Sequence, residues 1–235
     1  VVKIEKLSFR KGTEGMRPGQ MEYDAKGISL FDASFDAGLE FRDAVAELGN
    51  LQGRIDDDQH RLTAQLRPSR LRVEDLSVTN LTANVMYARG QLSLQDLEGS
   101  CYDGQIRGSV IYIVDSAEHQ TSLNVVDVDL LQLTKDTSYA GKNITGKVSG
   151  ELNLTGVGGD SSSFNGSGQL TLKDSELWEV PVFVGVFTSL NLGKKDKFES
   201  GFVRFGIDKG TRKLKIRELK FASRSLTLTS DKGWM

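Results

Sequence analysis

Apolar side chains recur at every second position along much of this 235-residue chain. The alternation is clearest over residues 2–9, 71–78, 91–97, 104–114, 121–129, 147–155, 167–173, 201–207, 213–221 and 225–230. A period of two gives each strand one apolar face and one polar face. Turn-forming residues separate these stretches, and glycine is abundant (25 residues) whereas proline is scarce (3 residues). The sequence therefore predicts a mainly β fold in which many short strands are joined by tight turns.

One short pattern, apolar-x-apolar-x-x-Leu, recurs along the chain. It occurs at residues 2–7, 71–76, 92–97 and 214–219. The final leucine is out of step with the first two apolar residues, so a regular strand would send it to the opposite face. We therefore expect a bulge or a bend in each copy. The uneven distance between copies argues against a solenoid of identical units and favours a meandering sheet of similar hairpins.

Three stretches interrupt the alternation and favour short helices. Residues 38–48 place their larger apolar side chains near one helical stripe. Residues 127–136 contain an aspartate suited to capping a helix. Residues 180–191 are apolar on most sides, and Pro181 suits the first turn of a helix.

Composition excludes several classes of protein. The 30 basic and 32 acidic residues give a net charge of −2, which argues against a globally basic nucleic-acid-binding protein. One cysteine and two histidines exclude an internal disulfide framework and a zinc site built from several Cys and His. The sequence contains no apolar run of about 18 residues, the length at which a membrane-spanning helix would be predicted. The chain has neither an initiator Met nor a signal peptide and ends in a strand-like segment, so we expect it to be a fragment of a longer protein.

Few side chains suggest chemistry. His60 and His119 lie in polar, turn-like contexts and favour solvated loop residues over a catalytic base. Cys101 precedes a turn and favours a small loop residue over a nucleophile. Residues 56–58 are aspartates without the spacing of a calcium loop, which favours a charged hairpin tip over a cation site. The basic residues of 194–197 favour a solvated loop over contact with anionic headgroups. We predict no catalytic residue, no metal site and no cofactor.

A stripe of apolar residues in the second half is the clearest candidate for a binding surface. It has two interpretations: the inner face of an ordinary β-sandwich, or the apolar face of a curled sheet forming an open groove for acyl chains. In a sandwich, a second apolar sheet face would have to cover the first. The few predicted helices are not enough to cover a sheet of about ten strands, and this is compatible with either interpretation. Both therefore remain open on the residues alone. The stripe comprises Leu152, Leu154, Leu170, Leu172, Val203, Phe205, Leu214, Ile216, Leu226 and Leu228.

From about residue 125 onward, sequence elements follow one another in a distinctive order. They are Val128-Asp-Leu-Leu-Gln-Leu, the segment 144–156, a Gly-rich loop, the segment 164–178, Val180-Pro-Val-Phe, the segment 198–210 and the segment 219–229. This series resembles the C-terminal region of the AsmA-like superfamily. Two features depart from the family pattern. The family usually has a glycine soon after the last of these strands, whereas this sequence has Ser230-Asp-Lys-Gly, and the strand that normally follows is not part of the sequence. Residues 1–124 resemble the family only in their general sequence pattern.

The resemblance implies a mainly β fold: a curled antiparallel sheet forming an open, β-taco-like groove with two or three short helices. Residues 1–124 would form a β-rich groove segment with a short helix near 38–48. Residues 125–235 would form a C-terminal-type β segment with helices near 127–136 and 180–191. Both segments would belong to one continuous sheet.

The resemblance also implies a function. Members of this superfamily are envelope proteins of diderm (Gram-negative) bacteria, with an N-terminal inner-membrane anchor, here outside the chain, and a β-rich periplasmic body. They resemble bridge-like lipid-transfer proteins for outer-membrane lipid homeostasis or biogenesis, and they are not enzymes. The expected partners are phospholipid and other envelope or outer-membrane assembly proteins. An alternative is a β-rich periplasmic scaffold for outer-membrane protein assembly without lipid conduction. A glycan hydrolase would need two suitably spaced carboxylates, and no such constellation is recognisable.

Overall fold

The protein consists almost entirely of β-strands. The structure, a computed structural model, describes all residues except 1, 12–19, 37–39, 57–58, 74, 178–196, 211–213, 225–226 and 231–235. The strands of the first half are β1 (Val2–Lys11), β2 (Met21–Asp36), β3 (Glu40–Asp56), β4 (Gln59–Val73), β5 (Leu76–Ala88), β6 (Gln91–Cys101) and β7 (Gly104–Ile113). The second half contributes β8 (Glu118–Asp129), β9 (Thr145–Val157), β10 (Asn165–Glu176), β11 (Phe198–Ile207), β12 (Leu214–Ala222) and β13 (Thr227–Ser230).

The described strands form one sheet whose order follows the chain from β1 to β13. Neighbouring strands run antiparallel wherever their register is defined, over β1–β6 and over β10–β13. The outer strands, β1 and β13, each have one neighbour, so the sheet does not close on itself. The predicted fold class, a mainly β protein built on an open antiparallel sheet with very few helices, is confirmed.

Aspartate and asparagine residues with a left-handed backbone interrupt the strands repeatedly. In β3, Asn50 has a φ of 53°, and the β3–β4 register shifts between Gly49 and Gln52. In β6, Asp96 has a φ of 50° at a shift in the β5–β6 register. The short side chains of Asp and Asn tolerate this conformation better than most. The extra residue of such a bulge resets which side chains face each side of the sheet.

The predicted helix at 38–48 is wrong in its described part, because residues from Glu40 onward belong to β3. Positive φ values at Asp43 and Asn50 mark two irregularities in this strand, and each is accompanied by register shifts against β4. These irregularities place buried Ala44, half-buried Leu48 and buried Leu51 at spacings of four and three residues. Such spacings resemble those of a helical stripe.

The apolar-x-apolar-x-x-Leu copies behave differently from one another. The bulge expected in residues 92–97 is present at Asp96, and the copy at 214–219 has a register shift between Ile216 and Glu218. The copy at 71–76 crosses the turn between β4 and β5, so the predicted single strand at 71–78 is wrong. The copy at 2–7 keeps a regular register with β2, so the bulge expected there is absent.

The described chain contains one short α-helix, α1 (Leu130–Lys135), and a 3₁₀ turn at Ser161–Ser163. The helix lies within the predicted range 127–136, and the predicted aspartate cap is Asp129, whose Oδ1 accepts a hydrogen bond from the Gln132 amide at 2.9 Å. The residues that precede the helix in that range complete β8. The helix predicted at 180–191 lies outside the described residues.

The chain divides into two compact units. Unit 1 comprises Val1–Ser100, Arg107–Ser122 and Thr155–Asp160. Unit 2 comprises Cys101–Ile106, Leu123–Leu154 and Ser161–Met235. The sequence division at residue 124 stays a prediction. The core of unit 1 is built on Ala25, Leu51, Ala64 and Val85. The core of unit 2 is built on Val128, Leu130, Ile144, Val148, Leu172, Leu177, Phe198 and Phe221.

Backbone hydrogen bonds join turns that neighbour each other along the sheet edge. Within unit 1, the Val114 amide donates to the Gly90 carbonyl and the Gly158 amide to the Ala117 carbonyl, both at 2.8 Å. Within unit 2, the Gly210 amide donates to the carbonyl of Ser162 at 2.7 Å. Each of these contacts ties a turn to another turn beside it.

Candidate functional site

The strands β9–β13 of unit 2 carry the stripe that alternation predicted as a binding surface. Residues directly opposite each other in an antiparallel pair point to the same face. The register pairs Leu170 with Val203, Val203 with Leu219 and Phe205 with Ile216, and it continues through further apolar pairs. The described stripe members on β10–β13 therefore share one face: Leu170, Leu172, Val203, Phe205, Leu214, Ile216 and Leu228.

The stripe continues onto β9. An ideal Cβ at Gly166 would lie 3.2 Å from Cδ1 of Leu154. Gly166 alternates with Gly168, which stands opposite Phe205, so Leu154 lies on the same side of the sheet as Phe205. Leu152 shares this side by alternation along β9. We call the stripe on β9–β13, without Leu226, the unit 2 face; Leu226 lies outside the described residues.

One part of the unit 2 face is closed. Leu172 is buried in the core of unit 2 together with Phe198 and Phe221. The two phenylalanine rings meet edge to face, with centroids 5.2 Å apart. Leu130 of α1 is buried in the same cluster, so the helix covers this part of the sheet. Substitutions here would test the core and not a binding surface.

The other part of the unit 2 face is open. Leu152, Leu154 and Ile216 are half-buried, and Leu214 is 53% exposed. The sequence predicted these residues and Leu172 as members of one surface. In the structure, Leu172 is buried, whereas the other four keep part of their surface accessible. The open part, defined by these four leucine and isoleucine residues, is the candidate for contact with an apolar ligand.

Unit 1 carries a second apolar face that alternation alone did not predict. A buried group of small and branched residues on β2–β5 forms its centre, and larger side chains from β2–β6 pack around it. We call this surface the unit 1 face. Its members are Tyr23, Ala25, Ile28, Leu48, Leu51, Leu62, Ala64, Leu66, Val85, Leu92 and Leu94. The bulges in β2–β6 obscured its period in the sequence.

A polar aromatic cluster borders the unit 1 face. His60, expected to be a solvated loop residue, is half-buried in β4, and its Nε2 is hydrogen-bonded to the Tyr23 hydroxyl. The His60 ring centroid lies 5.6 Å from that of Tyr23 and 5.5 Å from that of Tyr87. Tyr23 lies over Gly53, where a Cβ would overlap its ring. Burial raises the pKa of Tyr23 above its ordinary value. The solvated-loop prediction for His60 is therefore wrong.

His119 and Cys101 also lie in strands and not in loops. His119 is half-buried in β8, and burial lowers its pKa. Cys101 ends β6 and packs against the core of unit 2, and burial raises the pKa of its thiol. A raised pKa keeps the sulfur in its less nucleophilic thiol form.

A concave region of about 700 Å³ lies on β2–β4 within unit 1. Its lining includes Glu22, Asp24, Lys26, Arg54 and Arg61, so it carries both signs of charge. Arg54 approaches Glu22 at 4.0 Å. Exposed ion pairs of this kind contribute little free energy, and this region has no preference for one sign of ligand charge.

Among the residues that the structure describes, the other charged side chains form no recognisable centre. Asp56, which ends β3, lies 3.8 Å from Arg54, whereas residues 57–58 lie outside the described residues. Residues 194–196 of the basic cluster also lie outside them, and Lys197 pairs with Glu176 at 2.9 Å. Within the described part of the chain, no group of three or more His, Cys, Asp or Glu side chains could hold a metal ion. Among the described residues, no helix is long and apolar enough to cross a membrane.

Comparison with known proteins places these faces in context. No curated protein and no solved structure matches the chain significantly. A model of the AsmA family, a family associated with bacterial envelope proteins, matches residues 45–215 and so spans parts of both apolar faces. Because this match covers well over half of the sequence, the chain belongs to the AsmA family.

Proposed function

We propose that this chain is a segment of a periplasmic bridge-like lipid-transfer protein that shields phospholipid acyl chains for outer-membrane lipid homeostasis or biogenesis. The observation that carries the proposal is the open part of the unit 2 face, where Leu152, Leu154, Leu214 and Ile216 keep part of their apolar surface accessible. Membership of an envelope-associated family supports it.

The physical basis is the cost of exposing an acyl chain to water. Each CH₂ group moved from water to an apolar surface gains about 0.8 kcal/mol, so even partial contact along a chain lowers this cost substantially. Leucine and isoleucine side chains offer no directional bonds, so a lipid tail can move along them without breaking specific contacts. The polar head would remain in water. An apolar face of this kind suits passage of lipids better than tight storage.

The proposal assigns partners and location as well. The partner is phospholipid, with other envelope or outer-membrane assembly proteins as further partners. The location is the periplasm of a diderm bacterium, with the parent protein anchored in the inner membrane through regions outside this chain. Enzymatic activity is not part of the proposal, because the AsmA family is not known as an enzyme family.

The test compares charged substitutions on the open part of the unit 2 face with one on the polar face. The variants are Leu154→Asp and Ile216→Asp, and the matched control is Lys173→Asp at an exposed position of β10. Leu172→Asp is unsuitable because Leu172 is a core residue, 8% exposed, whose replacement would unfold unit 2.

Native mass spectrometry and lipid extraction of the purified chain provide the readout, with circular dichroism to verify folding. We expect phospholipid on the wild-type protein and on the Lys173 control, and its loss from both face variants. A folded wild-type protein without lipid would refute the proposal and favour the scaffold, which should instead retain outer-membrane assembly proteins. Equal lipid loss in all three variants would also refute it.

A further inference from the structure

The residues of the unit 2 face and the glycines between them stand in rows that cross β10, β11 and β12. Residues directly opposite each other on neighbouring strands belong to one row and one side of the sheet. On β10 and β11, successive rows are two residues apart, or about 6.7 Å. Counted from the β11–β12 connection, the four rows are Gly166, Ile207 and Leu214; Gly168, Phe205 and Ile216; Leu170, Val203 and Leu219; and Leu172, Gly201 and Phe221.

Exposure decreases along these rows. In the first row, Leu214 is 53% exposed and Ile207 is half-buried. The third row is half-buried on all three strands, and its side chains pack against the core of unit 2. In the fourth row, Leu172 is 8% exposed and Phe221 is 1% exposed. The face is therefore open at its first row and closed at its fourth.

The second row contains a ring that lies against the sheet. An ideal Cβ at Gly168 would lie 2.5 Å from Cζ of Phe205, so this ring covers the Gly168 backbone, and Phe205 is 8% exposed. The accessible apolar surface of this row comes from half-buried Ile216, with half-buried Leu152 of β9 on the other side. Accessible apolar surface thus continues from the first row towards the third.

Polar residues follow directly beyond the first row. The connection after β11 begins with Asp208, which is hydrogen-bonded to Lys215, and with exposed Lys209. The Gly210 amide donates to the Ser162 carbonyl at 2.7 Å, which brings the serine-rich 3₁₀ turn beside this connection. The open end of the face therefore meets a polar edge of the sheet, whereas the closed end meets the core.

Resting on the proposed function, we infer that an acyl chain lies along the strands of the unit 2 face, with its polar head at the β11–β12 connection and its methyl end towards the fourth row. An amphiphile has one end suited to water and one suited to burial, and exposure on this face changes along the strands in the same sense. The first and third rows are four residues apart on β11, about 13 Å, which is the length of about ten carbons of an extended acyl chain. The buried fourth row ends the site, so carbons beyond this length gain little contact.

Photo-cross-linking of the wild-type protein tests the orientation. Two lysophosphatidylcholines carry a diazirine, one close to the ester and one at about the tenth carbon of the chain. Irradiation, proteolysis and mass spectrometry then locate the labelled residues. We expect the label close to the ester to mark the first row and its neighbour Leu154, and the distal label to mark the third row.

A series of alkylphosphocholines from hexyl to hexadecyl, each used below its critical micelle concentration, tests the length limit. Affinity should rise about twofold to fourfold per CH₂ up to decyl and then level off. Val203→Ser in the third row should bind the hexyl compound normally and the decyl compound about tenfold more weakly. Leu214→Ser in the first row is the matched variant and should weaken binding at every length. Circular dichroism verifies that both variants are folded.

The outcomes separate this inference from the proposed function. Labels that mark the same row, mark the rows in the reverse order or lie outside β9–β12 would overturn the orientation while lipid binding stands. An affinity that keeps rising steadily to hexadecyl would overturn the length limit in the same way. If no probe binds and no lipid accompanies the purified chain, both the inference and the proposed function are refuted.

Discussion

Phe221→Ala should be among the most destabilising substitutions in unit 2. The side chain is 1% exposed and meets the Phe198 ring edge to face at 5.2 Å. The backbone of β11 also approaches it closely: an ideal Cβ at Gly201 would lie 2.6 Å from Cε1 of Phe221. The ring is therefore held between a strand and a second ring, and strand backbone cannot easily move in to fill the space that alanine would leave.

Truncation of a buried phenylalanine to alanine costs about 3–5 kcal/mol, from lost transfer free energy and from the cavity. For a chain of this size, each kcal/mol lowers the melting temperature by about 2–4 °C. We therefore expect a decrease of about 6–20 °C. A double-mutant cycle with Phe198→Leu and Phe221→Leu should give a coupling free energy of about 0.5–1.5 kcal/mol, because the rings contact each other directly.

Urea unfolding followed by circular dichroism gives the change in the free energy of unfolding. The control is Leu131→Ala on α1, whose side chain is 41% exposed and whose loss should cost about 0.5 kcal/mol. A cost below about 1 kcal/mol for Phe221→Ala would refute the assignment of Phe221 to a tightly packed core.

Three further predictions concern single residues. Burial holds the pKa of His119 below its ordinary value of 6.5, so the unfolded chain binds a proton at this residue more readily than the folded protein does, and acid favours unfolding. When the pH is lowered from about 7.5 to about 5.5, the melting temperature should therefore fall less for His119→Gln than for the wild type. An equal fall in both proteins would contradict this prediction. The Cys101 thiol, whose pKa is raised by burial, should react with a thiol reagent more slowly in the folded protein than in urea, and equal rates would argue against its burial. Asp96→Val should cost about 1–2 kcal/mol in urea unfolding because φ at this bulge is 50°, whereas Asp96→Asn should cost much less; equal costs would show that the backbone conformation is not responsible.

Much of the second half could be predicted from local sequence. The alternation at 167–173 and 201–207 lies within β10 and β11, because these strands keep a steady period. A short helix with an aspartate cap was predicted within 127–136, and Asp129 caps α1, since capping depends on residues adjacent in sequence. Local interactions determine both features.

The first half was less predictable because bulges disturb the period on which such predictions depend. In β3, which was predicted in part as a helix, positive φ values at Asp43 and Asn50 accompany shifts in register. A signal was present: an aspartate or asparagine followed by an apolar residue out of step, as at Asp96-Leu97. The partnership of His60 with Tyr23 spans 37 residues, and no local pattern indicates it.

The candidate site was only partly predictable for a similar reason. Alternation correctly grouped Leu172 and Leu214 on one face, because parity and register determine which side a residue occupies. It could not show that Leu172 is buried in the core whereas Leu214 is exposed. That difference depends on where α1 packs, which follows from tertiary contacts and not from the strand pattern.

The hydrogen bonds between neighbouring turns have a mechanical consequence. A hairpin at the edge of a sheet can be peeled away when force opens its inter-strand bonds one after another. Here the hydrogen bonds from Val114 to Gly90 and from Gly158 to Ala117 join separate hairpins of unit 1, so a force applied to one turn is also transmitted to the turn bonded to it. Resistance to tension is thereby shared along the row of turns.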